Sequence, residues 1–128
     1  MDIDGRRVAD KEAMAYRDNV EYIRGFEKAM TEDSEISQEY LRRLRWRWAI
    51  DKVRSKLRVY SPQKEVFFCE YYGLDRPLRA SEKRDSRMIK LSIKLFIGQS
   101  TLYKWKEQIL DDIVLAATQA GVYHPFSE

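Results

Sequence analysis

The stretch ending at Tyr60 constrains the fold most, because its apolar side chains form two stripes. At about 100° per residue, Leu41, Leu44, Trp48 and Val59 fall on one side of a helix, and Trp46, Ile50, Val53, Leu57 and Tyr60 on the other. A helix with two apolar faces needs two partners. One is the helix before it and the other the C-terminal part of the chain, or else a second subunit packs on residues 35–60 to make a homodimer. The Ser34 or Ser37 hydroxyl caps its start.

The flanking segments also read as helices. From Val8 to Met30, the sets Tyr16, Val20, Ile23 and Tyr22, Phe26, Met30 recur at helical spacing, with Gly25 as the weak point. Ser61-Pro62 restarts the chain, since proline is tolerated at a first helical position. The next helix, Pro62 to about Tyr72, ends at Gly73, and Val66, Phe67, Phe68, Cys69, Tyr71 and Tyr72 are core material. Residues 74–85 form a basic loop. Asp85 or Ser86 starts a short helix whose Ile89, Ile93 and Phe96, with Leu95, face the core. Gly98 breaks it by taking the left-handed conformation that glycine adopts without penalty. Ser100 caps a last helix with Leu102, Trp105, Ile109, Ile113 and Ala116 inward, stopped by Gly121 and Pro125. No stretch alternates as a strand does. The expectation is an all-α fold of about five helices: a helical pair over 1–60, acidic then basic, and a module over 61–128 ending in a helix-turn-helix.

Charge is distributed unevenly. Residues 1–40 hold 6 basic and 11 acidic side chains, residues 41–106 hold 18 and 6, and residues 107–128 hold none and 4, which conceals a basic middle within a net charge of +3. Such a middle attracts polyanions, because each phosphate it neutralises releases counterions. The other reading is that these are solvated helix faces paired with the acidic first third.

Several chemistries lack their residues. With 1 Cys and 1 His there is no zinc set and no nucleophile, base and carboxylate triad, and no glycine-rich phosphate loop is present. Cys69 reads as a small hydrophobe and His124 as a surface histidine, so no enzyme activity, metal or cofactor is expected. No run approaches the about 18 apolar residues of a membrane helix. The opening residues lack a signal-peptide core, and a cytoplasmic location is expected.

In a helix-turn-helix, the N-terminal turns of the second helix reach base edges in the major groove. If Leu102, Ile109 and Ile113 face inward, Thr101, Lys104 and Gln108 face out, with Tyr103 beside them and Gln99 and Ser100 at the tip. Lysine suits guanine, glutamine suits adenine, and the hydroxyls suit base or phosphate. Arg84, Arg87, Lys90 and Lys94 then serve as phosphate contacts, as do Lys106 and, on the basic second helix, Arg54 and Arg58. Glu107, Asp111 and Asp112 would repel phosphate, confining contact to the first two turns. Trp46, Trp48 and Trp105 sit in stripe positions that favour packing over base stacking.

The order Glu-Val-Phe-Phe-Cys-Glu-Tyr-Tyr (65–72), a basic stretch, then Phe-Ile-Gly-Gln-Ser-Thr-Leu-Tyr-Lys-Trp-Lys-Glu-Gln-Ile-Leu (96–110) resembles the RinA/ArpU-type late transcriptional regulators of phages and prophages. The resemblance spans about residues 45–121. It implies a C-terminal part like region 4 of sigma-70 factors, binding of double-stranded DNA, and recognition positions at Ser100, Thr101, Tyr103, Lys104 and Lys106. It also implies activation of late genes in a bacterial cytoplasm. Because one short recognition helix reads few base pairs, specificity calls for a dimer or a partner such as RNA polymerase. Two other functions fit helices of this kind. A small terminase subunit for DNA packaging would assemble into a ring, and a helical adaptor or inhibitor would bind an acidic protein instead of DNA.

Overall fold

The computed structural model describes residues 3–124. Among these the chain is all-helical, with no strand. The helices are α1 (Ile3–Met14), α2 (Tyr16–Ala29), α3 (Gln38–Tyr60), α4 (Pro62–Tyr72), α5 (Arg84–Leu95) and α6 (Gln99–Gln119). None of them is long and apolar enough to cross a membrane. Pro125 lies outside the described residues.

The centre of the molecule is α3 lying along α6, with α1 on the other flank of α6 and α2 on α3. Trp46, Ile50, Val53 and Leu57 of α3 meet Phe67, Phe68, Tyr71 and Tyr72 of α4 and Leu102, Ile109 and Ile113 of α6 in one apolar cluster. Phe67 and Phe68 are wholly buried, and each contributes about 2–3 kcal/mol by leaving water. The outer stripe of α3 is only partly covered, and Trp48 and Val59 remain exposed. Tyr60, at the end of the inner stripe, is also exposed, and so is Val66 of α4, which is not in the core because it lies on the face of α4 away from Phe67 and Tyr71.

At the middle of the chain Ser37 and Gly73 cap as local chemistry expects, and Ser61 does so only in part. Ser37 Oγ accepts from Tyr40 N at 3.0 Å and starts α3. Gly73 closes α4 at φ 65°, where a Cβ would stand 2.6 Å from Leu78 Cγ and 2.9 Å from the Arg76 carbonyl oxygen. Ser61 begins α4 with its backbone only; its side chain makes no cap hydrogen bond.

The acidic N-terminal segment is two helices rather than one. It bends at Ala15, while Gly25 lies within α2 with open space around it. Hydrogen bonds continue through the bend, Ala15 N to Lys11 O at 3.0 Å and Asn19 N to Ala15 O at 2.9 Å. The cause is a change of partner. Ala9 and Ala13, with no exposed surface, let α1 approach the core closely, and Arg6 ties it to Asp111 of α6. Beyond the bend, Tyr16 Oη donates to Asp51 at 2.6 Å, and Phe26 stacks on Tyr40 with ring centroids 4.4 Å apart.

Candidate nucleic-acid interface

Residues 96–98 join α5 to α6, and the left-handed residue in this turn is Phe96, at φ 57°. Gly98 has φ −60° and is the N-cap of α6, its carbonyl accepting from Thr101 N at 3.1 Å and Leu102 N at 3.2 Å. Ser100 therefore does not cap the helix; it lies in the first turn, exposed. Ile97 N returns to Ser92 O at 3.1 Å, and Ser92 Oγ donates to Ile97 O at 2.5 Å, so the side chain of Ser92 holds the turn.

The inward face of α5 also differs from the expected one. Met88 and Leu91 are buried and Leu95 packs beside them, whereas Ile89, Ile93 and Phe96 are exposed, Phe96 at 94 %. Two apolar sets on this helix share the same spacing. The buried one is selected by Arg87, which enters the interior beside it and donates to the Tyr71 carbonyl at 2.6 Å.

The buried Leu102 sets the direction of the first turns of α6. Gln99, Ser100, Thr101 and Lys104 are exposed. Tyr103 is partly exposed, with its hydroxyl 3.4 Å from Asp85 Oδ1. The Gln108 side-chain oxygen, Oε1, accepts from Lys64 Nζ at 2.8 Å. On the opposite flank Arg6 forms a bidentate pair with Asp111 at 2.7 and 2.8 Å and approaches Glu107 at 3.8 Å. The hydrogen bond from Arg6 holds the Asp111 carboxyl below its ordinary pKa. The outer surface of α6 is thus uncharged or basic at its tip and acidic from Glu107 onward on the α1 side.

The seven expected phosphate contacts are mostly committed elsewhere. Arg87 is only 6 % exposed and also donates to Glu82 at 3.1 Å, so it joins α5 to α4 and does not reach the surface. Arg54 likewise points inward. Its Nη2 donates to Asp75 at 2.5 Å; burial acts to lower its pKa, but that hydrogen bond and the attraction of the Asp75, Cys69 and Tyr16 side chains together outweigh it and the guanidinium stays charged. Lys106 is half-buried, its ammonium 5.4 Å from the centre of the Tyr71 ring, and burial lowers its pKa. Arg84 pairs with Asp10 at 3.0 Å, Lys90 with Glu82 at 2.6 Å, Arg58 with Glu65 at 3.1 Å, and Lys94 with Glu70. Pairing with the acidic first third is also real for Arg42, which meets Glu12 at 3.0 Å, and for Arg43, which meets Glu39 at 2.7 Å and donates to the Asn19 amide oxygen at 3.2 Å.

Three lysines outside that set flank α6. Lys64 reaches Gln108 with its ammonium 5.8 Å from the Trp105 ring centre. Lys52 reaches Gln119 at 2.6 Å and lies 4.9 Å from the Trp48 ring centre. Lys56 lines a shallow groove with Asp112 and Leu115. The spacing of Lys52 and Lys56, one turn apart, was visible in the sequence, but the helix they face was not.

Of the tryptophans, Trp46 is buried and Trp105 packs edge-on against Phe67, whereas Trp48 is 46 % exposed. Burial pushes the Cys69 thiol up to about 11, so it stays protonated. No group of three His, Cys, Asp or Glu able to hold a metal occurs among the described residues. No family model, curated protein or solved structure matches this chain.

Proposed function

We propose that the chain binds double-stranded DNA in a sequence-specific manner and regulates transcription, with α5, the 96–98 turn and α6 acting as a helix-turn-helix. The observation that carries this reading is the first two turns of α6. Leu102 is buried, and around it Gln99, Ser100, Thr101 and Lys104 face solvent with no part in the core. Side chains of these types read base edges when a helix N-terminus enters the major groove. Control of phage late genes rests on the resemblance of segments 65–72 and 96–110 to regulators of that kind. One short helix reads few base pairs, so a second copy of the chain or a bound RNA polymerase supplies the rest of the specificity. The cytoplasm of a bacterial host is the compartment this role requires.

Selection of bound duplexes from a random pool tests the proposal. A defined consensus should emerge, and Lys104→Ala should relax it at one position at a cost of about 1–3 kcal/mol. Recovery of a pool without sequence bias, or a consensus unchanged by Lys104→Ala, overturns the assignment of α6 as the reading helix.

A further inference from the structure

We infer that the seam where α3 and the first turn of α4 meet α6 is the phosphate-binding track of this interface, with Lys52 and Lys56 of α3 and Lys64 of α4 extending the line that Lys104 begins along one strand of duplex DNA. The inference rests on the preceding proposal that the chain binds duplex DNA. Its ground is which of the cations packed beside α6 form no ion pair among the described residues.

Counting basic residues treats all of them alike, but their contacts divide them. Lys90, Lys94, Arg58, Arg84 and Arg54 each face a carboxylate that cancels most of their field. Lys52 and Lys64 rest instead on the neutral amides of Gln119 and Gln108. An ammonium held by an amide keeps its full charge and exchanges that bond for a phosphate oxygen without leaving a buried acid behind. The rings of Trp48 and Trp105 beneath these two ammonium groups limit their wandering and so reduce the entropy lost when they bind. Asp112 is the carboxylate in this groove. It forms no ion pair among the described residues and shares the groove with two lysines, Lys52 and Lys56, whose charge offsets its own, so contact is not confined to the first two turns of α6.

Alignment is the second ground. Positions 104, 108, 112, 115 and 119 lie on one face of α6 by helical spacing. Lys64 meets that face at Gln108, Lys56 at Asp112 and Leu115, and Lys52 at Gln119. The ammonium groups therefore follow one line, which from Lys104 to Gln119 covers about 22 Å at about 1.5 Å per residue. The other flank of α6 carries Glu107 and Asp111, engaged with Arg6, and repels a strand. One side of the reading helix is basic and the other acidic, so the phosphate backbone is drawn to the α3 side.

The test is a salt titration of binding to a labelled duplex of random sequence, read by fluorescence anisotropy. The proteins are the full-length wild type, the triple variant Lys52→Gln/Lys56→Gln/Lys64→Gln, and a control, Lys90→Gln/Lys94→Gln, that removes lysines already bound to carboxylates. Circular dichroism establishes that each is folded, and Lys56→Glu alone serves if the triple variant is not. The slope of log affinity against log salt should become shallower by about 2–3 in the triple variant, at about 0.9 per lost phosphate contact, and by about 1 or more in Lys56→Glu. The control should keep the wild-type slope. A wild type that binds with an unchanged slope in the seam variant overturns this inference and leaves the proposed function standing. Equal loss in the control also overturns it, since net charge would then be the cause. A wild type that binds no duplex at low salt overturns the proposed function itself.

Discussion

The turn between α5 and α6 yields a prediction whose sign runs against the sequence pattern. Phe96 occupies the left-handed region at φ 57° with 94 % of its surface exposed, so replacing it removes strain and almost no packing. Left-handed geometry costs an ordinary residue about 1–2 kcal/mol, while glycine costs about 0.5–1 kcal/mol in chain entropy. Phe96→Gly should therefore stabilise the protein by about 0.5–1 kcal/mol. Gly98 has φ −60° and open space where a Cβ would go, so Gly98→Ser gains chain stiffness and a capping hydroxyl, again about 0.5–1 kcal/mol. Were Gly98 the left-handed residue, Gly98→Ser would cost about 1 kcal/mol instead. Urea unfolding of both single variants and the double variant measures this, provided the m-values match the wild type. A loss of stability in either single variant refutes the assignment of strain to Phe96 and of the cap to Gly98.

Three further variants test other parts of the structure. Gly73→Ala should cost about 2–3 kcal/mol in the same urea assay, because it combines left-handed strain with a Cβ 2.9 Å from the Arg76 carbonyl oxygen. Arg87→Ala should cost about 2–3 kcal/mol by leaving the Tyr71 carbonyl and Glu82 without their buried donor, and should leave the salt slope of DNA binding unchanged. Hydrogen bonds from Arg42 and Arg43 hold the Glu39 carboxyl at about 2, against 4.5 ordinarily. With the folded pKa depressed, its contribution is complete above pH 4.5 and disappears as pH falls toward 2. The melting temperature of Glu39→Gln should accordingly lie below that of wild type at pH 7 and converge with it near pH 2; a gap that persists at pH 2 would exclude this linkage.

The parts of the fold that were legible in the sequence are those written by local chemistry. Ser37 caps α3, Pro62 opens α4, and Gly73 closes it in the left-handed conformation, each within a residue or two of its signal. Where a choice depended on a distant partner, the sequence offered two equal answers. Met88, Leu91 and Leu95 fit the spacing of α5 as well as Ile89, Ile93 and Phe96 do. The hydrogen bond from Arg87 to the Tyr71 carbonyl, made across to α4, separates them. The bend at Ala15 is of the same kind. Gly25 was the weak point by propensity, yet it is exposed and helical, because the chain turns where its partner changes from α6 to α3.

The candidate site divides along the same line. Exposure of Gln99, Ser100, Thr101 and Lys104 followed from placing Leu102 inward, a periodicity argument that needs no partner. The phosphate contacts did not follow, because a basic residue has no sequence signature for whether a carboxylate awaits it in the fold. Arg54 meets Asp75, Arg84 meets Asp10 and Lys94 meets Glu70 across gaps in sequence that no helical spacing encodes. Lys64 and Lys52 meet amides by the same accident of topology. The field this protein presents to a polyanion is therefore set less by the total of its basic residues than by which of them the fold leaves without a carboxylate. Removing a basic residue should have two separable effects. Arg87 and Arg54 should alter stability without the salt slope, and the seam lysines the salt slope without stability.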